Sequence, residues 1–206
     1  MKRARTDTLF VTRLYRADAV AAPSFNRELE RACLLTAEED QAGLQWAKAH
    51  GYKGYTSYAS LNDLTLRLPP IAALDKILNR HVAAFARDLE FDIPAGGLAL
   101  DSIWLNVMEE ESFHSGHIHP HSVISGTYYV RLPKSAAGIR FEDPRLPLMM
   151  AAPPRRSDAA LSNRTFVTVM PKARTLLMWE SFVRHDVPRN CARGKRISVS
   201  FNYGLR

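Results

Sequence analysis

Four of the seven histidines in this 206-residue chain fall within eight positions: His114, His117, His119 and His121, with Pro120 among them. Imidazole is the commonest side-chain ligand for transition metals, so the cluster is first a place to hold a cation. In an extended segment residues i and i+2 project from one face, and His117 and His119 can therefore aim both rings at one ion without distorting the backbone. Residue 121 lies past Pro120, where the chain should already be turning away. Two imidazoles leave a metal undercoordinated, so a third ligand has to come from a distant part of the sequence. His185 is the candidate: it follows the apolar run Leu176–Trp179, and Arg184, Asp186 and Pro188 around it read as a strand end or turn. His50 and His81 lie in stretches of helical periodicity and are expected on helix surfaces, not on a metal.

A second chemical signal lies ten residues further on. Arg196, Ser198, Ser200 and Asn202 alternate with Ile197, Val199, Phe201 and Tyr203, which is the period of a strand with one apolar and one polar face. An ordinary sheet would turn the polar face to water. If the strand instead lines a barrel, Arg196 becomes a buried fork of donors that needs a carboxylate, and Ser198 can add a hydroxyl to the same anion. An unpaired guanidinium in a dry site is costly, so that partner is expected to be a ligand.

The elements that must position these groups fall into two parts. Residues 1–95 read as mainly helical support: an edge strand near Phe10–Tyr15, one or two helices from Phe25 to about Ala49 with Ser24 as the cap, and a helix over Pro70–Leu89. In that last helix Ile71, Leu74, Ile77, Leu78, Val82 and Phe85 recur on one face. After Pro94-Ala-Gly-Gly the period changes from 3.6 to 2. Leu98–Met108, Ile124–Leu132, Ile139–Phe141, Thr165–Met170, Thr175–Trp179 and Arg196–Tyr203 are short and rich in β-branched or aromatic residues, so residues 96–206 predict a sandwich or barrel. The stretch from Arg145 to Asn163 is the longest irregular one, of a length usually found in disordered segments or lids. No repeat or linker divides the chain, and one domain spanning 1–206 is expected.

Composition narrows the class. With 46% hydrophobic and 24% charged residues the chain is globular, not disordered or fibrous. No apolar run reaches the ~18–20 residues of a membrane helix, and the basic start is followed by too short an apolar patch for a secretory signal, so a cytoplasmic protein is expected. Cys33 and Cys191 have no spacing for a disulfide framework or thiolate metal site. The net charge is +7, concentrated in residues 131–206, where 15 Lys and Arg face 5 Asp and Glu. That surplus suits an anionic ligand or polyanionic partner as well as a solvated basic face.

Taken in order, these residues resemble the 2-oxoglutarate and Fe(II)-dependent oxygenases, in particular an uncharacterised bacterial subgroup with the signature His-x-His-Pro-x(4)-Ser-Gly-x-Tyr-Tyr-Val. Here it stands as His117-Ile-His119-Pro, then Ser125-Gly-Thr-Tyr-Tyr129-Val. The resemblance runs from Trp104-Leu-Asn106 through Phe141-Glu-Asp-Pro-Arg145 and His185 to Arg196-Ile-Ser-Val-Ser-Phe-Asn202, roughly the second half of the chain. It implies a mainly β fold with flanking helices, a double-stranded β-helix (jelly-roll, cupin-like barrel) with the helices packed on one sheet. It implies His117, His119 and His185 as ligands of Fe(II). Arg196 with Ser198 would hold the distal carboxylate of 2-oxoglutarate, Tyr129 would point to the same group, and Asn106 would contact the cosubstrate. The implied reaction couples oxidative decarboxylation of 2-oxoglutarate to hydroxylation of a substrate.

Two departures stand out. Most of the superfamily places Asp or Glu where His119 stands, so three neutral imidazoles leave the site one negative charge short. Trp179-Glu180 replaces a Phe-Pro pair common in the subgroup, and Asp143, in Asp-Pro-Arg, reads as a turn residue and not as a substitute ligand. A three-histidine cupin-like metalloenzyme that needs no keto acid is the first alternative, though Arg196 then loses its purpose. The second is a non-catalytic basic barrel binding nucleic acid or another polyanion, against which the last third lacks the basic and aromatic alternation of single-strand binders. A small metabolite, a peptide side chain and a nucleobase are all open as substrate.

Overall fold

The computed structural model describes residues 4–206. In chain order the elements are β1 (Leu14–Ala17), α1 (Pro23–Glu39), α2 (Gln41–Ala49), β2 (Gly54–Thr56), α3 (Leu64–Arg67) and α4 (Pro69–Asp88). They continue with β3 (Leu98–Met108), β4 (His114–His117), β5 (Ile124–Arg131), β6 (Ile139–Glu142), β7 (Phe166–Val169), β8 (Leu176–Glu180), β9 (His185–Val187) and β10 (Arg196–Leu205). All pairing is antiparallel. A six-stranded sheet runs β1-β8-β5-β10-β3-β2 and a four-stranded sheet runs β4-β9-β6-β7. The two sheets face each other as a jelly roll, with α1 and α4 on the outer face of the larger one.

The helices form where their apolar faces can be buried. Leu29 and Cys33 of α1, with Ile71, Leu74, Leu78, Val82 and Phe85 of α4, pack against Leu105, Tyr128, Met178, Val199 and Phe201 of the large sheet. Each such side chain contributes on the order of 1.5–3 kcal/mol through burial. Pro23 and Pro69 open the two long helices, where a missing N–H costs nothing. Ser24, expected as a cap, makes no cap hydrogen bond. The helices α1 and α2 are parted at Asp40, whose carboxylate accepts from the Gly43 N–H at 3.0 Å and the Tyr55 hydroxyl at 2.8 Å.

The N-terminal half does more than support. It supplies β1 and β2, the two edge strands of the large sheet, so the boundary near residue 95 separates sequence periodicities, not layers. The expected edge strand over 10–15 lies four residues later, at Leu14–Ala17. The irregular stretch from Arg145 to Asn163 joins β6 to β7 with two short 3-10 turns, Leu146–Leu148 and Leu161–Asn163, and contributes no residue to either cavity described below.

The glycine of the Ser125-Gly pair answers to packing. Gly126 sits opposite Phe201 on β10, and a Cβ there would run into the Phe201 ring and lie 2.7 Å from the Leu177 carbonyl oxygen. A Gly126→Ala variant is expected to lose about 1–3 kcal/mol of stability, read as a lower denaturant midpoint; an unchanged midpoint would show that the sheet yields there.

Candidate metal centre

The polar face of β10 turns inward, not to water. Arg196 and Ser198 are each 1% exposed and Asn202 is 6% exposed. Register fixes their neighbours: Arg196 stands beside Met108, while Ser198 stands between Asn106 on β3 and Tyr129 on β5, where a bulge falls between the Ile197 and Ser198 pairings. Arg196, Ser198, Tyr129 and Asn106 therefore form one patch on the inner face of the large sheet.

The small sheet brings the histidines. His117 on β4 and His185 on β9 are cross-strand partners, with ring centroids 4.5 Å apart. His185 is at a strand end as expected, but of the short strand β9 in the opposite sheet and not of the Leu176–Trp179 strand. His119 lies just past β4, its backbone N–H bonded to the Ser181 carbonyl at 3.0 Å. One ligand atom from each of His117, His119 and His185 lies within 4.8 Å of the other two. The Nδ1 atoms of His117 and His185 meet the carbonyls of Ser115 at 2.7 Å and Val183 at 3.0 Å, an arrangement that holds each ring and leaves Nε2 for an ion. His119 Nδ1 is 3.4 Å from the Asn202 amide, which also bonds Ser102 and Ser125. His121 adopts a left-handed backbone, φ 74°, and turns off as expected. Asp143 is held by the Arg145 side chain, and among the described residues no carboxylate joins the three rings.

Burial sets the protonation of this cluster. Burial, with the neighbouring His117, presses His119 to about 4 and His185 to about 3. Burial, then the Arg196 charge, presses His114 to about 3. His114, His119 and His185 are thus neutral, the form in which a histidine binds metal. In the unfolded chain they take up protons near pH 6.5, so stability of the metal-free protein should be full above that value and fall as pH drops from about 6.5 toward 4. Thermal unfolding of the metal-free protein across this window checks it, and a flat profile would contradict it.

A small inner cavity of about 60 Å³ lies between the sheets, walled by the three histidines on one side and by Tyr129, Arg196 and Ser198 on the other. Arg196 has no carboxylate partner. Its Nε donates to the Ala137 carbonyl at 3.1 Å, Nη1 approaches Met108 Sδ and Ser198 Oγ at 3.4 Å, and its Cζ stands 5.2 Å from the Tyr129 ring centroid. Burial pushes the Tyr129 hydroxyl up to about 12, and that hydroxyl, like the indole N–H of Trp179, is buried with no hydrogen-bond partner among the described residues. Native interiors leave few such groups. Three imidazoles fit a divalent metal, and a cationic fork with no carboxylate partner, beside the unpartnered donors of Tyr129 and Trp179, fits a carboxylate next to it.

Sequence reading missed a further contact. The Tyr52 hydroxyl meets His114 Nε2 at 2.7 Å, linking the loop after α2 to the interior. Only the proximity of residues 62 positions apart creates that pair. Outside the neck formed by Trp104, Asn106, His114, His117 and His119, an open cleft of about 1540 Å³ is bounded by Trp46, Tyr52, Lys53, Tyr58 and Phe113.

Comparison with known proteins finds one family match and several structures of the same fold. Residues 102–202, just under half the chain, match the model of a family described as "Putative 2OG-Fe(II) oxygenase". No curated protein matches the sequence. Among solved structures, the non-heme alpha ketoglutarate dependent epimerase SnoN from nogalamycin biosynthesis is similar at 14% identity and TM-score 0.65, over 94% of this chain and 77% of that one. HygX from Streptomyces hygroscopicus, solved with iron bound, is similar at 12% identity and TM-score 0.61, over 95% and 83%. A Pseudomonas putida prolyl-4-hydroxylase is similar at 14% identity and TM-score 0.55, over 95% and 94%. The jelly-roll fold is shared with all three.

Proposed function

We propose that this chain is a 2-oxoglutarate- and iron(II)-dependent oxygenase with His117, His119 and His185 as metal ligands. The observation that carries the reading is the buried, carboxylate-free guanidinium of Arg196 facing three convergent imidazoles across one cavity. The matched family and the fold support it. HygX has also been solved with nickel and 2-oxoglutarate bound.

Bound iron would supply the redox chemistry by which dioxygen is shared between the keto acid, released as succinate and CO₂, and a substrate C–H bond. His117, His119 and His185 would hold the ion at one wall of the inner cavity, with the space facing Arg196 left for the keto acid. Arg196 pairs with the distal carboxylate in a site shielded from water, where charge-assisted bonds are strong, and Ser198, Tyr129 and Asn106 fix that chain's direction. Trp104 and His114 narrow the passage to the cleft, which receives the substrate. At about 1540 Å³ the cleft exceeds the ~300–1,000 Å³ of ordinary small-molecule pockets, so we favour a large molecule or a peptide segment over a compact metabolite.

Ion pairing counts against the polyanion reading for part of the basic surplus. Arg131, Arg140, Arg145, Arg156, Arg184 and Arg189 each meet an acidic side chain, and Arg196 is buried. Aerobic incubation with Fe(II) and 2-oxoglutarate tests the proposal: succinate should form only when both are present, even without substrate. Iron-loaded protein that consumes no keto acid under oxygen would contradict it.

A further inference from the structure

Trp179 carries a hydrogen-bond donor that the fold leaves unused. The residue is 2% exposed on β8, its ring edge-on to His185 and Phe141 with centroids 4.7 and 5.1 Å away. Indole has one polar atom, Nε1–H, which only donates. That atom is buried and has no partner among the described residues. An unmade hydrogen bond inside a protein costs the desolvation of the group, so the fold tolerates a penalty here that a ligand could remove.

The side chain's position indicates which ligand. Trp179 lines the inner cavity with Arg196, Ser198 and Tyr129 and takes no part in the outer cleft. Arg196 and Trp179 are donors without acceptor capacity, and the free Tyr129 hydroxyl adds another donor. A set of this kind is satisfied by a group that only accepts, and an ionised carboxylate is that group. A hydroxyl or amide accepts fewer bonds and brings a donor of its own, and an apolar ligand accepts none.

We propose that Trp179 is a binding residue for the keto acid, its indole N–H donating to a carboxylate oxygen of 2-oxoglutarate. This rests on the oxygenase reading above. Because the indole adds a donor without adding charge, it strengthens selection for the acid without raising the cationic load beside the metal.

The test compares wild type with Trp179→Phe, and with Trp179 replaced by benzothienylalanine, a ring of the same size whose sulfur takes the place of N–H. Each Fe(II)-loaded protein is titrated anaerobically with 2-oxoglutarate and with 2-oxobutyrate, which keeps the keto-acid end but has no distal carboxylate. Iron affinity is measured separately. Both variants should bind 2-oxoglutarate about tenfold or more weakly, the scale of one hydrogen bond to a charged group, with iron affinity unchanged. Loss confined to 2-oxoglutarate places the N–H at the distal carboxylate; equal loss for both acids places it at the metal end. Unchanged 2-oxoglutarate affinity in the benzothienylalanine variant, or equal losses of iron and keto acid, would overturn the assignment. Wild type that binds iron but no 2-oxoglutarate would sink the oxygenase reading itself.

Discussion

An Arg196→Met variant is expected to bind 2-oxoglutarate at least about thirtyfold more weakly while holding iron as tightly as wild type. Removing one member of a buried charge-assisted pair costs about 2–5 kcal/mol, and each 1.4 kcal/mol is a factor of ten. The guanidinium sits on the large sheet and the imidazoles sit on or beside the small one, so the substitution reaches the anion without disturbing the metal ligands. Methionine is unbranched and fills irregular space. Since no protein carboxylate compensates Arg196, the ligand-free variant should unfold at an equal or higher denaturant concentration, because a buried charge has been removed. Anaerobic calorimetric titration with iron and with keto acid separates the two affinities, and equal loss of both would contradict the assignment.

His185→Ala should behave in the opposite way and lose both. The ring is 5% exposed, pairs with His117 across β4 and β9, and completes the three-nitrogen set. Loss of an outer hydrogen-bond partner of a metal ligand already costs roughly 10–100-fold in metal affinity, and loss of a ligand itself should exceed that. Keto-acid binding should fall with it, because one end of the cosubstrate is held by the ion. Metal content after dialysis against trace iron, with keto-acid titration of the same sample, reads both effects. A variant that retains stoichiometric iron would remove His185 from the site.

The pairing of three neutral ligands with Arg196 has an electrostatic consequence. An ion held by the three histidines would share the cavity with the Arg196 guanidinium, and among the described residues no acidic side chain joins the three rings, so the loaded site would carry more positive charge than one with a carboxylate ligand. On the proposed function a dianionic keto acid would be drawn by both ends of the cavity, and metal and cosubstrate binding should support each other.

Much of this site was legible because it is written in short-range patterns. The His117–His119 spacing and the alternation over residues 196–203 are local signals, and a polar strand face ending in arginine is unusual enough to suggest an interior. Other parts depend on contacts between distant segments. The short strands β4 and β9 have little periodicity of their own and exist because His117 and His185 pair. Tyr52 meets His114 from the helical half, and the unmet indole of Trp179 becomes visible only once its surroundings are known. Gly126 shows the reverse: a residue inside a recognisable signature answers to the ring of Phe201, and not to the chemistry. The loop over 145–163 has the length and composition of a lid, yet the cleft is bounded by the N-terminal half, including Trp46, Tyr52 and Tyr58.

The most direct measurement is anaerobic titration of the iron(II)-loaded protein with 2-oxoglutarate, followed by visible absorption. A weak charge-transfer band from the chelated keto acid should appear, saturate at one equivalent per site and be missing from Arg196→Met at the same concentrations. Protein with iron demonstrably bound and no such band would contradict the account and leave a three-histidine metal site that uses no keto acid.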